Sequence, residues 1–183
     1  TVALAGLSFS NDHKYVAYGI SKGGSDWREF FIKDVATGKD LGDHIEWIKN
    51  SGVSWYKNGF FYTRFDTPAK GDELKGENKN AKAYYHKMGT VQSEDVLIHK
   101  DDLHPERSFH MGVSEDEAYI MLMAYESTSG NSLAFKKAGL DDTPFTWLDE
   151  DFEEAGCFIE RPLTLQAWIL ENKDEVSGGD ILE

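Results

Sequence analysis

The sequence predicts an all-β fold of the propeller type, a partial β-propeller built of four-stranded antiparallel blades. Three observations lead there. The apolar stretches are short and rich in Tyr, Phe, Val and Ile, which suits strands better than helices. Turn residues punctuate them at close intervals: NDHK at 11–14, KGGSD at 22–26, ATGK at 36–39 and KNG at 57–59. The third observation is recurrence. FSNDHKYVAYGISKGGSDWREFFIKDVATGKDL at 9–41 and VSEDEAYIMLMAYESTSGNSLAFKKAGLDDTPFTWL at 113–148 share one order. Each runs Ser-x-Asp turn, aromatic strand, Gly/Ser turn, strand, Gly-containing turn. Ser10 and Asp12 mark the first opening turn, Ser114 and Asp116 the second.

Taken in order, TVALAGLSFS, YVAYGIS and REFFIKDV give three strands. Between the last two, Gly23-Gly24-Ser25-Asp26 reads as a turn with Gly24 at positive φ. Asp26 is expected to accept backbone N–H groups there, and Trp27 to pack at the start of the next strand. Glu46-Trp47-Ile48-Lys49 is too short for a helix. VSWYKNGFFYTRF reads strand, turn, strand, and its third strand, KAYYHKMG at 82–89, comes late. The delay is DTPAKGDELKGENKNAK at 66–82, an inserted polar loop on a blade rim, because closure entropy grows slowly with loop length. An interdomain linker is the alternative, but the repeat resumes in phase. EDVLIHK, FHMGVSEDEAYIMLMAY, NSLAFKKAG and CFIERPL continue the series. AYIMLMAY has helical propensity, yet its place between SEDE and ESTSG makes it a strand. Pro144 to Gly156 has room for one irregular helical turn.

Hairpins begin near 10, 56 and 114, close to the roughly 40–50-residue period of a four-stranded propeller blade. Blades are expected at 1–50, 51–100 and 101–150. The whole chain, 1–183, then reads as a fragment of a single propeller domain with about three to four blades. Phe9, Val16, Tyr18, Trp55, Phe61, Tyr119, Ile120 and Leu122 are the expected core.

Composition narrows the partners. With 33 acids against 19 bases, the net charge is −14. Such a surface repels nucleic-acid backbones and anionic membranes, so neither is an expected partner. No run approaches the ~18 apolar residues of a membrane span. Cys157 is the single cysteine, which rules out an internal disulfide and suits a reducing compartment. A cytoplasmic location is expected. A periplasmic one is the alternative, because TVALAGLSFS lacks an initiator methionine and looks cut from something longer.

Catalytic signals are absent from the pattern. No G-x-S-x-G elbow occurs. Ser25, Ser54, Ser114 and Ser132 lie in hairpin or strand contexts, and spacing pairs none of them with a histidine. Gly23 and Gly24 precede an aromatic strand, where a phosphate loop needs a helix. His99, His104 and His110, with Asp101, Asp102 and Glu106 nearby, are the right chemistry for zinc. They fall in an inter-strand segment containing Pro105 and read as solvated loop residues. His86 reads as a satisfied polar residue at a sheet edge, a tunnel-facing contact being the alternative. Cys157 reads as a buried small hydrophobe. Asp149-Glu150-Asp151 and Glu153-Glu154 read as a solvated face rather than a carboxylate pair across a cleft. No catalytic, cofactor-binding or metal-ligating residue is expected, and no cofactor.

GISKGGSDW, DVATGKDL, WIKNSGVSWYKNGFFYTRFDTP, AYYHKMGTVQSEDVLIHKDD and VSEDEAYIML stand in an order and spacing that closely resemble the non-catalytic propeller of the prolyl oligopeptidase family. The resemblance covers about residues 1–135 and thins from 136 onward, and the chain is short of strand material around Arg161. It implies an α/β-hydrolase domain, capped by a seven-bladed propeller, that cleaves short peptides after proline. The Ser, Asp and His of the triad then lie in the hydrolase domain, mainly after the propeller. The propeller restricts entry and excludes folded proteins. The implied partners are that catalytic domain and short peptide substrates. On this resemblance the insertion at 66–82 lies near the catalytic face, and the chain alone is inactive. The other reading is a stand-alone propeller serving as a protein-binding scaffold.

Overall fold

The computed structural model describes residues 1–72, 78–126 and 130–149. Their twelve strands form three four-stranded antiparallel sheets. The first holds β1 (Val2–Phe9), β2 (Tyr15–Lys22), β3 (Arg28–Asp34) and β4 (Asp40–Ile48). The second holds β5 (Val53–Tyr56), β6 (Gly59–Arg64), β7 (Lys82–Lys87) and β8 (Val96–Lys100). The third holds β9 (Ser108–Val113), β10 (Tyr119–Tyr125), β11 (Asn131–Lys137) and β12 (Thr146–Asp149). Strands follow sequence order across each sheet. The chain divides into two compact units, Thr1–Met111 and Gly112–Glu183.

The repeated Ser-x-Asp motif builds the same turn twice. Ser10 Oγ accepts the Tyr15 N–H at 3.0 Å and donates to Asp12 Oδ1 at 2.8 Å. Ser114 Oγ accepts the Tyr119 N–H at 2.9 Å and donates to Asp116 Oδ1 at 2.7 Å. Asp12 and Asp116 each accept a second backbone N–H, from Lys14 and Ala118. His13 and Glu117 take the left-handed conformation at φ 58° and 57°. The side chains thus satisfy donors that the tight turn would otherwise leave open.

In the first unit, alternation along the strands gives the first two sheets facing apolar sides. Ala17, Phe30, Ile32, Ile45 and Ile48 pack with Val53, Trp55, Phe60 and Tyr62 in one buried cluster. Each large side chain buried this way contributes about 1.5–3 kcal/mol. Phe30 reaches across to β2, where only a glycine at position 19 leaves room for its ring.

Val16, Trp55, Phe61, Ile120 and Leu122 are buried as expected. Three other expected core residues are not. Phe9 is 53% exposed, at the end of a strand with a neighbour on one side only. Tyr18 and Tyr119 are half-buried. Tyr18 lies on the sheet face opposite Ala17, stacked on Phe31, with its hydroxyl donating to Asp40. Tyr119 packs edge-on against Phe135.

Two elements differ from expectation. Strand β4 was not foreseen. At 146–149, where a helical turn had room, the chain is extended as β12, paired with β11. The remainder of 144–156 beyond 149, CFIERPL, Cys157 and the acids 150–154 lie outside the described residues. The polar insertion separates β6 from β7, and its roots are tied down. Lys82 bridges Asp66 at 2.6 Å, the Phe65 N–H donates to the Trp47 carbonyl at 3.0 Å, and Lys49 donates to Asn78 Oδ1 at 3.1 Å.

Candidate functional site

The glycine turn is as expected in conformation and different in its bonds. Gly23 and Gly24 sit at φ 63° and 74°, a region open to residues without a Cβ. Ser25 Oγ, rather than Asp26, accepts the Trp27 N–H at 3.1 Å. Asp26 faces outward, with its carboxylate 3.9 Å from Lys49. The serine is the shorter side chain and reaches the backbone two residues on without leaving the turn. Trp27 does pack at the start of β3, edge-on to Trp47 at 5.6 Å and Phe65 at 5.8 Å, with Lys49 over its ring.

The serines hold structure. Ser25 and Ser114 cap turns, Ser132 is buried in β11, and Ser54 Oγ donates to the Met111 carbonyl within the first unit. The histidines of 99–110 are not gathered. Asp101 organises that segment instead. Its Oδ1 accepts the Leu103 and His104 N–H groups, and its Oδ2 meets His104 Nδ1 at 2.8 Å and Arg107 at 2.9 Å. Burial works against its charge, but the His104 and backbone donors hold Asp101 below the usual carboxylate range. Asp102 pairs with Lys100. His99 packs edge-on to Phe109, and His110 is exposed.

Among the described residues one other set has metal-ligand chemistry, Glu29, His44 and Glu46, whose ligand atoms lie within 4.8 Å of one another. Neighbouring protein groups already engage it. His44 Nε2 meets Glu29 Oε2 at 2.9 Å, Lys22 meets Glu29 Oε1 at 2.6 Å, and the His44 ring stacks on Phe31.

Among the described residues, a polar constellation is buried between the first two sheets. His86, on the interior strand β7, is 0% exposed, so it does not sit at a sheet edge. Its Nδ1 meets Asp95 Oδ1 at 2.7 Å, and its Nε2 meets Asp43 Oδ1 at 3.0 Å. Asp43 belongs to β4 of the first sheet, and Asp95 leads into β8 of the second. Asp43 Oδ1 also accepts the Gly89 N–H at 2.6 Å, and Asp95 Oδ2 accepts the Tyr62 hydroxyl at 2.6 Å. Gln92 closes the set, donating to Tyr62 Oη and exchanging two 3.1 Å bonds with the Glu46 backbone.

Burial alone would strip the His86 proton, but hydrogen bonds to Asp43 and Asp95 outweigh it and push the ring up to about 9. Burial also opposes the Asp43 charge, and the His86 and Gly89 donors overcome it, holding that carboxyl below its usual range. Burial and the Asp95 acceptor push the Tyr62 hydroxyl well above its ordinary value, so it remains a donor. Sequence reasoning singled out His86 and missed both of its acids. The available signal was an ionisable residue within the aromatic strand AYYHKM. Proton transfer to a substrate needs hydrogen-bond reach. Side chains of His86, Asp43 and Asp95 at 0–1% exposure form a structural charge network.

Comparison with known proteins places the chain in a family. Residues 1–174 match the family model described as the prolyl oligopeptidase N-terminal β-propeller domain. The chain is 42% identical over 137 residues to a prolyl endopeptidase of Elizabethkingia miricola, covering 74% of this chain and 19% of that protein. It is 36% identical over 154 residues to prolyl oligopeptidase A of Amanita bisporigera, covering 73% and 20%. Among solved structures, one from a study of two prolyl endopeptidases and their inter-domain dynamics superposes with TM-score 0.75 at 30% identity, covering 83% of this chain and 22% of that one. Prolyl oligopeptidase B from Galerina marginata, bound to a 35-mer hydrolysis and macrocyclization substrate, gives 0.67 at 29% identity, covering 85% and 22%. The chain spans about a fifth of the length of these relatives.

Proposed function

Since this chain belongs to the prolyl oligopeptidase N-terminal β-propeller family, we propose that it is the propeller portion of a serine endopeptidase that cleaves short peptides after proline, and that it acts there as the substrate gate. The observation that carries this reading is the family match over residues 1–174, on a chain folded into three successive four-stranded sheets.

Amide hydrolysis needs an activated nucleophile and oxyanion stabilisation together. Ser25, Ser54, Ser114 and Ser132 hold turns and strands, and in this reading the chemistry belongs to an α/β-hydrolase partner domain. The propeller supplies a wall. The buried, aromatic-rich seam between the first two sheets resists deformation, which suits a wall that excludes folded proteins by size. A closed chamber also excludes water and confines the peptide near the nucleophile. No cofactor enters this mechanism.

A chromogenic peptide with proline before the scissile bond tests the reading. The arms are this chain alone, the full-length protein, and the full-length protein with its elbow serine changed to alanine. Activity confined to the intact full-length protein is expected. Hydrolysis by the 183-residue chain would overturn the assignment of the chemistry to a partner domain, and an inactive full-length protein would favour a binding scaffold.

A further inference from the structure

The geometry points to His86 being an imidazolium at neutral pH that serves as an alkali-sensitive latch between the first two sheets, and we propose this role for it. The inference rests on the seam itself and stands whether or not the propeller gates a peptidase.

Both ring nitrogens face carboxylate oxygens, Asp95 Oδ1 at 2.7 Å and Asp43 Oδ1 at 3.0 Å. An ionised carboxylate only accepts hydrogen bonds, and a neutral imidazole has one N–H to give. A neutral ring would therefore aim one nitrogen lone pair at an oxygen lone pair across a dry seam. Asp43 Oδ1, the atom facing Nε2, is marked as an acceptor independently by the Gly89 N–H, and on Asp95 the Tyr62 hydroxyl donates to the other oxygen, Oδ2. Between two ionised carboxylates both ring nitrogens donate, and the ring carries a proton on each. One buried cation between two buried anions satisfies every member of the set.

The latch joins different elements. Asp43 comes from β4, His86 from β7 and Asp95 from the approach to β8. Asp43 and Asp95 are the charged groups facing the ring. Tyr62 of β6 stands one bond further away through Asp95, and Phe60 of β6 presents an uncharged ring at 5.1 Å. The same seam is also held by Gly89 on Asp43 and by Gln92 on the Glu46 backbone, neither of which titrates. Within the sheets, backbone ladders join β3 to β4 and β6 to β7. Loss of the His86 proton to hydroxide therefore removes attraction at the seam and leaves the ladders intact. The sheets part slightly from each other before either one unravels.

Hydrogen exchange on the full-length protein tests this, with rates corrected for intrinsic pH dependence. Peptides covering 40–48 and 82–95 are compared with 119–137, which lacks the latch. Protection of the first two is expected to fall about tenfold more than that of the third between about pH 7 and about pH 10. In Asp43→Asn, where the ring keeps one carboxylate, the fall should begin at lower pH. In His86→Gln, the differential fall should vanish. Nitrogen NMR of histidine-labelled protein supplies a second reading, with both His86 nitrogens protonated at neutral pH. A neutral single tautomer there, or equal pH responses in all three peptides, would overturn the proposal.

Discussion

Phe30 lies so close to Gly19 that a Cβ built on that glycine would stand 2.8 Å from Phe30 Cζ. The two residues face each other across the β2–β3 ladder, and Phe30 is 2% exposed within the seam cluster. A methyl group at 19 must displace the ring into a packed core. Gly19→Ala should therefore cost about 1–3 kcal/mol. Gly42→Ala, where nothing lies within 4 Å, should stay within about 0.5 kcal/mol of the parent. Urea unfolding of the two variants checks the contrast, and equal midpoints would refute the packing argument.

The twin Ser-x-Asp turns predict matched losses. Ser10→Ala removes the acceptor for the Tyr15 N–H, and Ser114→Ala removes it for the Tyr119 N–H. Each substitution should cost about 1 kcal/mol. Thermal melts of the single variants supply the measurement. A loss at one turn only would show that the two motifs are not equivalent.

Asp43 contributes to the acid limb of stability. Its carboxyl is depressed in the folded chain, against burial, by His86 and Gly89. Its contribution is therefore present above the ordinary value of 3.8 and is lost as pH falls through the lower folded value. Asp43→Asn should be less stable near neutrality and show a shallower loss below 3.8. The histidine has the opposite sign. Its contribution is full below 6.5 and disappears as pH rises through about 9. Denaturation midpoints across the pH range measure both limbs.

The insertion predicts a cleavage pattern. Lys70 is exposed beyond the Asp66–Lys82 bridge, whereas Lys82 is ion-paired at the first position of β7. Brief trypsin treatment should cut at Lys70 before Lys82, as read by mass spectrometry. In the full-length protein, deleting 69–79 should raise turnover of long peptides relative to short ones if the insertion helps to gate entry. Unchanged turnover of both would rule that role out.

Strands with short apolar runs and Ser-x-Asp or Gly turns were legible because turn chemistry is local. Strand β4 was not. DLGDHIEWI carries two aspartates, a glycine and an exposed His44, and Trp47 breaks the alternation at φ 62°. Its place in the sheet depends on β3, with irregular register between Arg28 and Phe30. Tyr18 and Tyr119 were misplaced because alternation marks two faces without saying which one is covered. His86 stood out in its aromatic strand, but its partners lie 43 residues before it and 9 after. Only the stacking of two sheets brings those acids to one ring.

The sheets' connectivity has a consequence for how the chain is made. Each strand neighbours the one before or after it in sequence, so every ladder but β6–β7, which spans the insertion, closes over a short stretch of chain. Such local contacts carry a small closure cost and form early. A hairpin closes in about 1–10 μs, while a ribosome adds roughly 5–20 residues per second. The first sheet can therefore zip up while the second is still being synthesised. During that interval Phe30, Ile32 and Ile45 face water, until β5 and β6 emerge to cover them. That exposure is the chain's aggregation hazard during synthesis, and it ends with the arrival of the segment around Trp55 and Phe60.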